Sequence, residues 1–399
     1  MKSQLTPKEL WDSLNSEIDF SSILGSWLHT FQQQIEMADS GKQDKRSLQY
    51  FKDERFLTLF GLESLLYPHR KIAGKQPAGF HVLFQQAFAG KWLTGNWKKR
   101  SSKISIEYEK DLPECIGFRK YLSDLYSKSD HPNRHIQHPV KYERDKAIQR
   151  KEMGRYEGPT QSDAVVSFGD EKIFVESKFV SDVSTTVSYS TLRNQVARTI
   201  EAGLQNVNFK VENFWFLLLS PRIHKIDYPD SRLYSHLLRR YRFDPQSLRQ
   251  DLVHLEHQGL VRSEDWREIS LRLGHATWED IRQISFDISL MPLNLKKAMT
   301  QFWDERLVLL RSLPNITVRD SYTQMQSPVP FESLPEFIRR LENQGAKRVT
   351  IGRRSALTDA ISWDTPSMFP QELNDEHIAV LTRKAPDGQL DDFVFLNTN

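Results

Sequence analysis

The stretch Ser162–Phe179, "SDAVVSFGDEKIFVESKF", decides how the rest of the chain is read. Two runs rich in apolar and β-branched residues flank a Gly-Asp pair, the pattern of a β-hairpin. Charges interrupt it: Asp163 stands at the mouth of the first run, and Glu176 and Lys178 stand inside the second. Side chains alternate faces along a strand. Glu176 and Lys178 therefore share one face, and Val175, Ser177 and Phe179 share the other and are free to enter a core. A turn centred on 170/171 sets residue 163 opposite about residue 178. Asp163, Glu176 and Lys178 are thus expected to converge on one edge of a sheet. Charges in a central strand are costly unless they serve a cleft.

The flanks extend this into a module. A helix is predicted over about 191–206, and "NFWFLLLS" at 213–220 reads as a fully buried strand ended by Pro221. In the helix, Leu192, Val196, Ile200 and Leu204 form one apolar stripe at i, i+4 spacing. Strand, strand, helix, strand within some sixty residues is an α+β or α/β unit. Either side of it the periodicity is helical. Thr6-Pro7-Lys8-Glu9 is a helix start, with a cap, proline at the first helical position and an acid at the third. Helical patterns run through most of the first hundred residues and return over 230–312. The last eighty residues read as a helix ended by Gly345, a short strand at "KRVTIGRRS", and a hairpin across Pro386-Asp387-Gly388. The expected division is a helical region at 1–110, the module at 111–225, a second helical region at 226–320 and a small α+β domain at 321–399.

Composition narrows the class. The 399 residues are 38% hydrophobic and 27% charged, as in a soluble globular protein. No run nears the ~20 apolar residues of a membrane span. The start has no apolar leader, and Cys115 is the only cysteine, so a disulfide scaffold and a thiolate zinc cluster are excluded. A cytoplasmic location without membrane contact is the expectation. Net charge is only +3, but basic residues cluster locally. "HPVKYERDKAIQRKEMGRYEG" at 138–158 carries Arg144, Lys146, Arg150 and Lys151 near aromatic residues, and "GNWKKRSSK" carries Lys98, Lys99 and Arg100. Both suit a phosphate backbone. His254 and His257, three apart on a predicted helix with no third ligand evident, read as surface histidines.

Two carboxylates and a lysine on one sheet edge form a hydrolytic set. Carboxylate oxygens suit Mg²⁺, which takes one or two of them plus waters and substrate phosphates. The arrangement resembles the PD-(D/E)XK nuclease superfamily, with Asp163 and then Glu176-Ser177-Lys178 in the motif positions. The resemblance covers about sixty residues, and roughly 110 with the preceding helix; the flanking helical parts lie outside it. It implies a restriction-endonuclease-like αβββαβ core with a mixed sheet. It also implies an Mg²⁺-dependent endodeoxyribonuclease, with Mn²⁺ able to substitute. Carried over by position, Asp163 and Glu176 ligate the metal, the main-chain carbonyl of Ser177 completes the site, and Lys178 is the catalytic lysine. Gln195 is the polar residue that the following helix would place beside the metal, and Arg193 is a candidate phosphate contact. The motif's proline is replaced by Ser162. An additional acid from the helix before the sheet would be Glu143 or Glu157. DNA is the implied partner, with a homodimer or the subunits of a bacterial restriction or anti-phage defence complex as further partners. The alternative is a catalytically inactive nuclease-fold subunit that binds nucleic acid within a larger complex.

Overall fold

The computed structural model describes residues 5–40, 49–72, 77–88, 91–92, 104–115, 117–118, 159–179, 195–225, 233–287 and 291–311, and strands between 348 and 398. The chain is α+β, and a five-stranded mixed sheet is its centre. Its strands are β1 (Ile104–Leu112), β2 (Thr160–Phe168), β3 (Glu171–Ser177), β4 (Phe214–Ser220) and β5 (Leu273–Thr277), in that spatial order. β1, β2 and β3 pair antiparallel; β3, β4 and β5 pair parallel. The β2–β3 hairpin closes through Gly169-Asp170, between the paired residues Phe168 and Glu171. Gly169 has φ +63°, a conformation open to glycine at little steric cost.

The helices that matter to the site are α1 (Pro7–Asn15), α2 (Glu54–Lys71), α3 (Ala78–Ala87), α4 (Gln195–Asn206), α5 (Leu233–Phe243), α6 (Trp278–Asp287) and α7 (Leu293–Arg311). α1 starts as its sequence predicts. Thr6 accepts from the Glu9 amide, Glu9 accepts from the Thr6 amide, and Pro7 begins the first turn. α2 starts at Asp53, whose carboxylate accepts from the Arg55 amide and is gripped by the Arg55 guanidinium at 2.9 and 3.0 Å. Every residue of α2 from Phe56 to Pro68 is buried, so this helix lies inside the molecule. Its Glu63 is charged and fully enclosed, and it is matched by Arg70 at 2.7 Å and by the Tyr108 hydroxyl at 2.9 Å. Pairing of that kind is the condition on which a buried charge is tolerated.

The two faces of the sheet support separate cores. Ile173, Val175, Trp215, Leu217 and Leu219 face α2, α3, α6 and α7. Phe174, Phe216 and Leu218 face α4 and α5. Each of these side chains stabilises by roughly 1.5–3 kcal/mol on full burial. Val196, Ile200 and Leu204 make the α4 stripe that was expected, and Leu192 lies outside the described residues. The first core runs without interruption from Leu10 through Phe60, Val175 and Trp215 to Trp303. The expected boundary at 110/111 falls within β1, and that at 225/226 is crossed by this shared core.

β1 and β5 were not singled out in the sequence. "LGHAT" is short and polar for a strand and sits directly between helical patterns. Gly274 within it admits the Phe88 ring, which a Cβ would meet at 2.5 Å. Toward the C-terminus, β6 (Arg348–Arg354), β7 (Ile361–Trp363), β8 (Ile378–Lys384) and β9 (Leu390–Thr398) form an antiparallel sheet in the order β7-β6-β9-β8. The predicted helix ending at Gly345 lies outside the described residues. Among the described residues no helix is long and apolar enough to cross a membrane.

Candidate active site

The hairpin register differs from the expected one by two residues. Ala164 pairs with Val175 rather than with residue 177, because the turn is centred on 169/170. Extending the ladder by one step sets Asp163 directly opposite Glu176. The two acids therefore stand closer than the expected register would put them. Ser162 is buried and fixes this end of the hairpin: its hydroxyl donates to the Val175 carbonyl at 3.0 Å. Asp163 Oδ2 accepts from the Ser177 amide at 2.6 Å.

A third acid lies in the same row. Tyr108 pairs with Ala164 and Lys110 with Ser162, which leaves Glu109 opposite Asp163. Glu109 has φ +48°, a left-handed conformation that strains a residue with a side chain and is costly inside a strand. Gln161 donates to its carbonyl at 3.1 Å. Glu109, Asp163 and Glu176 thus stand in one row across three adjacent strands.

Glu176 is only 2% exposed and held on both oxygens. Oε1 accepts from Lys178 Nζ at 2.8 Å and from Gln195 Nε2 at 2.6 Å; Oε2 accepts from Thr199 Oγ1 at 3.3 Å. Gln195 and Thr199 come from one face of α4, whose close approach depends on Gly203. A Cβ there would lie 2.7 Å from the Phe174 ring and 2.8 Å from Phe214. Lys178 Nζ is also 4.0 Å from Glu54 Oε2, at the start of α2. Glu54 Oε1 accepts from the Phe179 amide at 2.9 Å, and the Lys178 carbonyl accepts from Trp278 Nε1 at 2.9 Å. The Ser177 hydroxyl points to the opposite face and meets Thr58 Oγ1 at 2.7 Å. The alternation across β3 is as the sequence predicted.

Burial and charge act together on this cluster. Burial, and then the Glu176 charge, push the Asp163 carboxyl well above the usual carboxylate range, against the opposing pull of Lys178. Burial raises Glu109 to about 7; Arg55 opposes the rise, and Asp53, Glu176 and Glu54 add to it. Burial disfavours the Lys178 ammonium, but Glu176, Glu54 and Asp163 outweigh it and hold the group above its ordinary range. Lys178 is therefore a fixed positive charge and hydrogen-bond donor in this arrangement.

The donor set fits a hard divalent cation. Crowded carboxylates with raised proton affinity are relieved by positive charge, and every candidate ligand is oxygen. Among the described residues no group of three or more His, Cys, Asp or Glu side chains is spaced to hold an ion by itself. A cation here would rest on Asp163 and Glu176 and take its other ligands from water, main-chain carbonyl or substrate, as Mg²⁺ commonly does.

Glu54 and Glu109 were missed in the sequence. Glu54 looks like an ordinary acid at a helix start, and Glu109 belongs to an unrecognised strand. The alternation in "ISIEYEKDL" was the signal for β1. Glu143 and Glu157, together with Arg144, Lys146, Arg150, Lys151 and Arg193, lie outside the described residues, as do Lys98, Lys99 and Arg100. His254 is corrected: it is buried and 2.9 Å from Glu201 Oε1, because the helix turns it toward α4. His257 is exposed as expected. No family model, no curated protein and no solved structure matches the chain.

Proposed function

We propose that this protein is a metal-dependent nuclease that hydrolyses phosphodiester bonds in DNA, built on a restriction-endonuclease-like core. The observation that carries the reading is the row Glu109, Asp163, Glu176 at the antiparallel-to-parallel junction of the sheet, with Lys178 bonded to Glu176. A bound Mg²⁺ would supply a Lewis acid for the phosphate and lower the pKa of a water ligand. Asp163 and Glu176, with the Ser177 carbonyl, would hold it. Gln195 and Thr199 keep the Glu176 carboxylate in place through their hydrogen bonds. Lys178 stays protonated among acids, so it serves as donor and counter-charge to the transition-state phosphate rather than as a base. Glu109, at a pKa of about 7, is the group best matched to exchange a proton near neutral pH. By analogy with the chemistry of such sites, a bacterial restriction or anti-phage role, alone or in a homodimer, is the context proposed.

The test is cleavage of plasmid, linear and single-stranded DNA in Mg²⁺ or Mn²⁺, with EDTA and Ca²⁺ as controls. The expected result is cutting in Mg²⁺, none in EDTA, and binding without turnover in Ca²⁺. Full activity in EDTA overturns the reading. A second reading has one observation in its favour: both Glu176 oxygens are already occupied by side chains. A non-cutting nucleic-acid-binding subunit would bind in the same assay and show no cleavage in Mg²⁺ or in Mn²⁺.

A further inference from the structure

α2 reaches both outer strands of the acid row. At its start Glu54 accepts from the Phe179 amide at 2.9 Å, and one turn on Thr58 Oγ1 meets Ser177 Oγ at 2.7 Å, so this end is fixed on β3. Farther along, Glu63 accepts from the Tyr108 hydroxyl at 2.9 Å, so the middle of α2 is fixed on β1. From Glu54 to Glu63 the helix rises roughly 14 Å. β3 and β1 stand two interstrand steps apart, roughly 10 Å. A helix crossing the strands obliquely spans both.

Tyr108 is the residue before Glu109. Tyr108, Ala164 and Val175 pair across β1, β2 and β3 and belong to the core that α2 shares. The next row is Glu109, Asp163 and Glu176. Among the described residues β1 pairs on one side only, with β2, so a single ladder holds it to the sheet. Glu109 nonetheless keeps φ +48°, between Tyr108, in register with Ala164, and Lys110, in register with Ser162. A strained backbone persists only where its surroundings over-determine it. The Tyr108 hydroxyl supplies a constraint of that kind, because its acceptor is itself held. Glu63 is fully enclosed; its Oε2 accepts from Arg70 Nε at 2.7 Å, and its Oε1 accepts from Arg70 Nη2 at 2.9 Å beside the tyrosine.

We propose that Glu63, acting through Tyr108, is a positioning residue for the site: the tether holds Glu109 left-handed in the row with Asp163 and Glu176. Its effect on catalysis rests on the nuclease reading. α2 then gauges the site. Glu54 and Thr58 set the place of β3, and Glu63 sets that of β1, so one helix fixes the span from Glu176 to Glu109 together with the sheet. Glu63 and Tyr108 lie in the core, and their effect passes through the backbone of residues 108 and 109.

The test uses the full chain and Tyr108→Phe, which keeps the ring in the core, leaves Glu63 matched by Arg70 and removes the tether. Its first readout is thermal melting without metal. Glycine adopts a left-handed backbone at little cost and alanine does not, whereas in an extended strand alanine is the more stable of the two. Glu109→Gly should therefore melt above Glu109→Ala in the otherwise wild-type chain, and below it when each is combined with Tyr108→Phe. The second readout is cleavage of duplex DNA in Mg²⁺. Tyr108→Phe should lower kcat about tenfold through misplacement of a reacting group, with binding in Ca²⁺ unchanged. It should add nothing in the Glu109→Gln chain, because both substitutions act through one residue. The same melting order in both series, whichever it is, overturns the tether. Cleavage by Tyr108→Phe at the wild-type rate, or a further loss in the Glu109→Gln chain, overturns the positioning role and leaves the nuclease reading standing. A wild type that cuts no DNA, with the melting order still reversed, removes the nuclease reading and leaves the tether in place.

Discussion

Glu54 accepts from the backbone N–H of Phe179 at 2.9 Å, and its other carboxylate oxygen stands 4.0 Å from Lys178 Nζ. One side chain at the start of α2 thus fixes the end of β3 and adds charge beside the lysine. The two roles separate by substitution. Glu54→Gln keeps an acceptor for the Phe179 amide and removes the charge. Its denaturant midpoint should stay near wild type, while Mg²⁺-dependent cleavage falls about tenfold, or ~1.4 kcal/mol of barrier. Glu54→Ala should lose stability as well, by about 1–2 kcal/mol for the unpaired donor. Equal midpoints in the two variants would remove the structural role.

Asp163→Ala, Glu176→Ala and Lys178→Ala should each lower cleavage by about 10²-fold or more. Binding of metal gives a readout independent of turnover. Mg²⁺ should raise the melting temperature of the wild type and of Lys178→Ala, but not that of Asp163→Ala or Glu176→Ala. Removing Lys178 leaves Glu54, Asp163 and Glu176 without their shared cation, so the metal-free Lys178→Ala protein should be destabilised by roughly 3–5 kcal/mol. A melt equal to wild type in the absence of metal would show that the acids do not carry charge together.

The raised proton affinity of Glu109 sets the direction of a pH effect. Its folded pKa of about 7 lies above the ordinary 4.5, so the folded chain holds a proton there that the unfolded chain releases. The resulting stability is full below about pH 4.5 and is lost as pH rises through about 7. Asp163, raised for the same reason, acts in the same direction. Glu109→Gln should therefore gain stability relative to wild type as pH goes from about 5 to about 8, in melts without metal. A difference that stays constant over this range would mean that Glu109 titrates normally.

Gly203 tests the packing that places Gln195 and Thr199 on Glu176. Gly203→Ala puts a methyl against the Phe174 and Phe214 rings at 2.7–2.8 Å, where neither aromatic can swing aside as a flexible chain end would. Overpacking of this kind costs about 1–3 kcal/mol. α4 should shift outward, and cleavage should fall by more than stability at the assay temperature explains. Full activity in a folded Gly203→Ala protein would show that the α4 contacts to Glu176 are dispensable.

The hairpin, its charged positions and the buried strand β4 were legible because each rests on local chemistry: alternation, a glycine turn and an apolar run. The relation of Glu176 to Lys178 followed from strand period alone. The register was not legible to the residue, because Gly169-Asp170 and Asp170-Glu171 both read as turn centres in the sequence, and a two-residue slip leaves Ile173 and Val175 on the same face; the structure turns at Gly169-Asp170, with Gly169 at φ +63°. Glu54 and Glu109 were hidden for a different reason. Their role depends on contacts between segments more than fifty residues apart, which no periodicity reports. His254 misled because a histidine on a polar helix gives no sign of which neighbour will cover it.

Thr58 bonds Ser177 across 119 residues, Glu54 reaches Phe179 across 125, and Trp278 reaches Lys178 across 100. The order of events in folding follows from these separations. The hairpin can close early, but its charged end is complete only when the segments from α2 through α6 have been drawn together, and long loop closures are slow. On refolding from denaturant, strand signal should therefore return before any function does. A fragment ending at Pro221 should form the hairpin, yet leave Lys178 without the indole that caps its carbonyl.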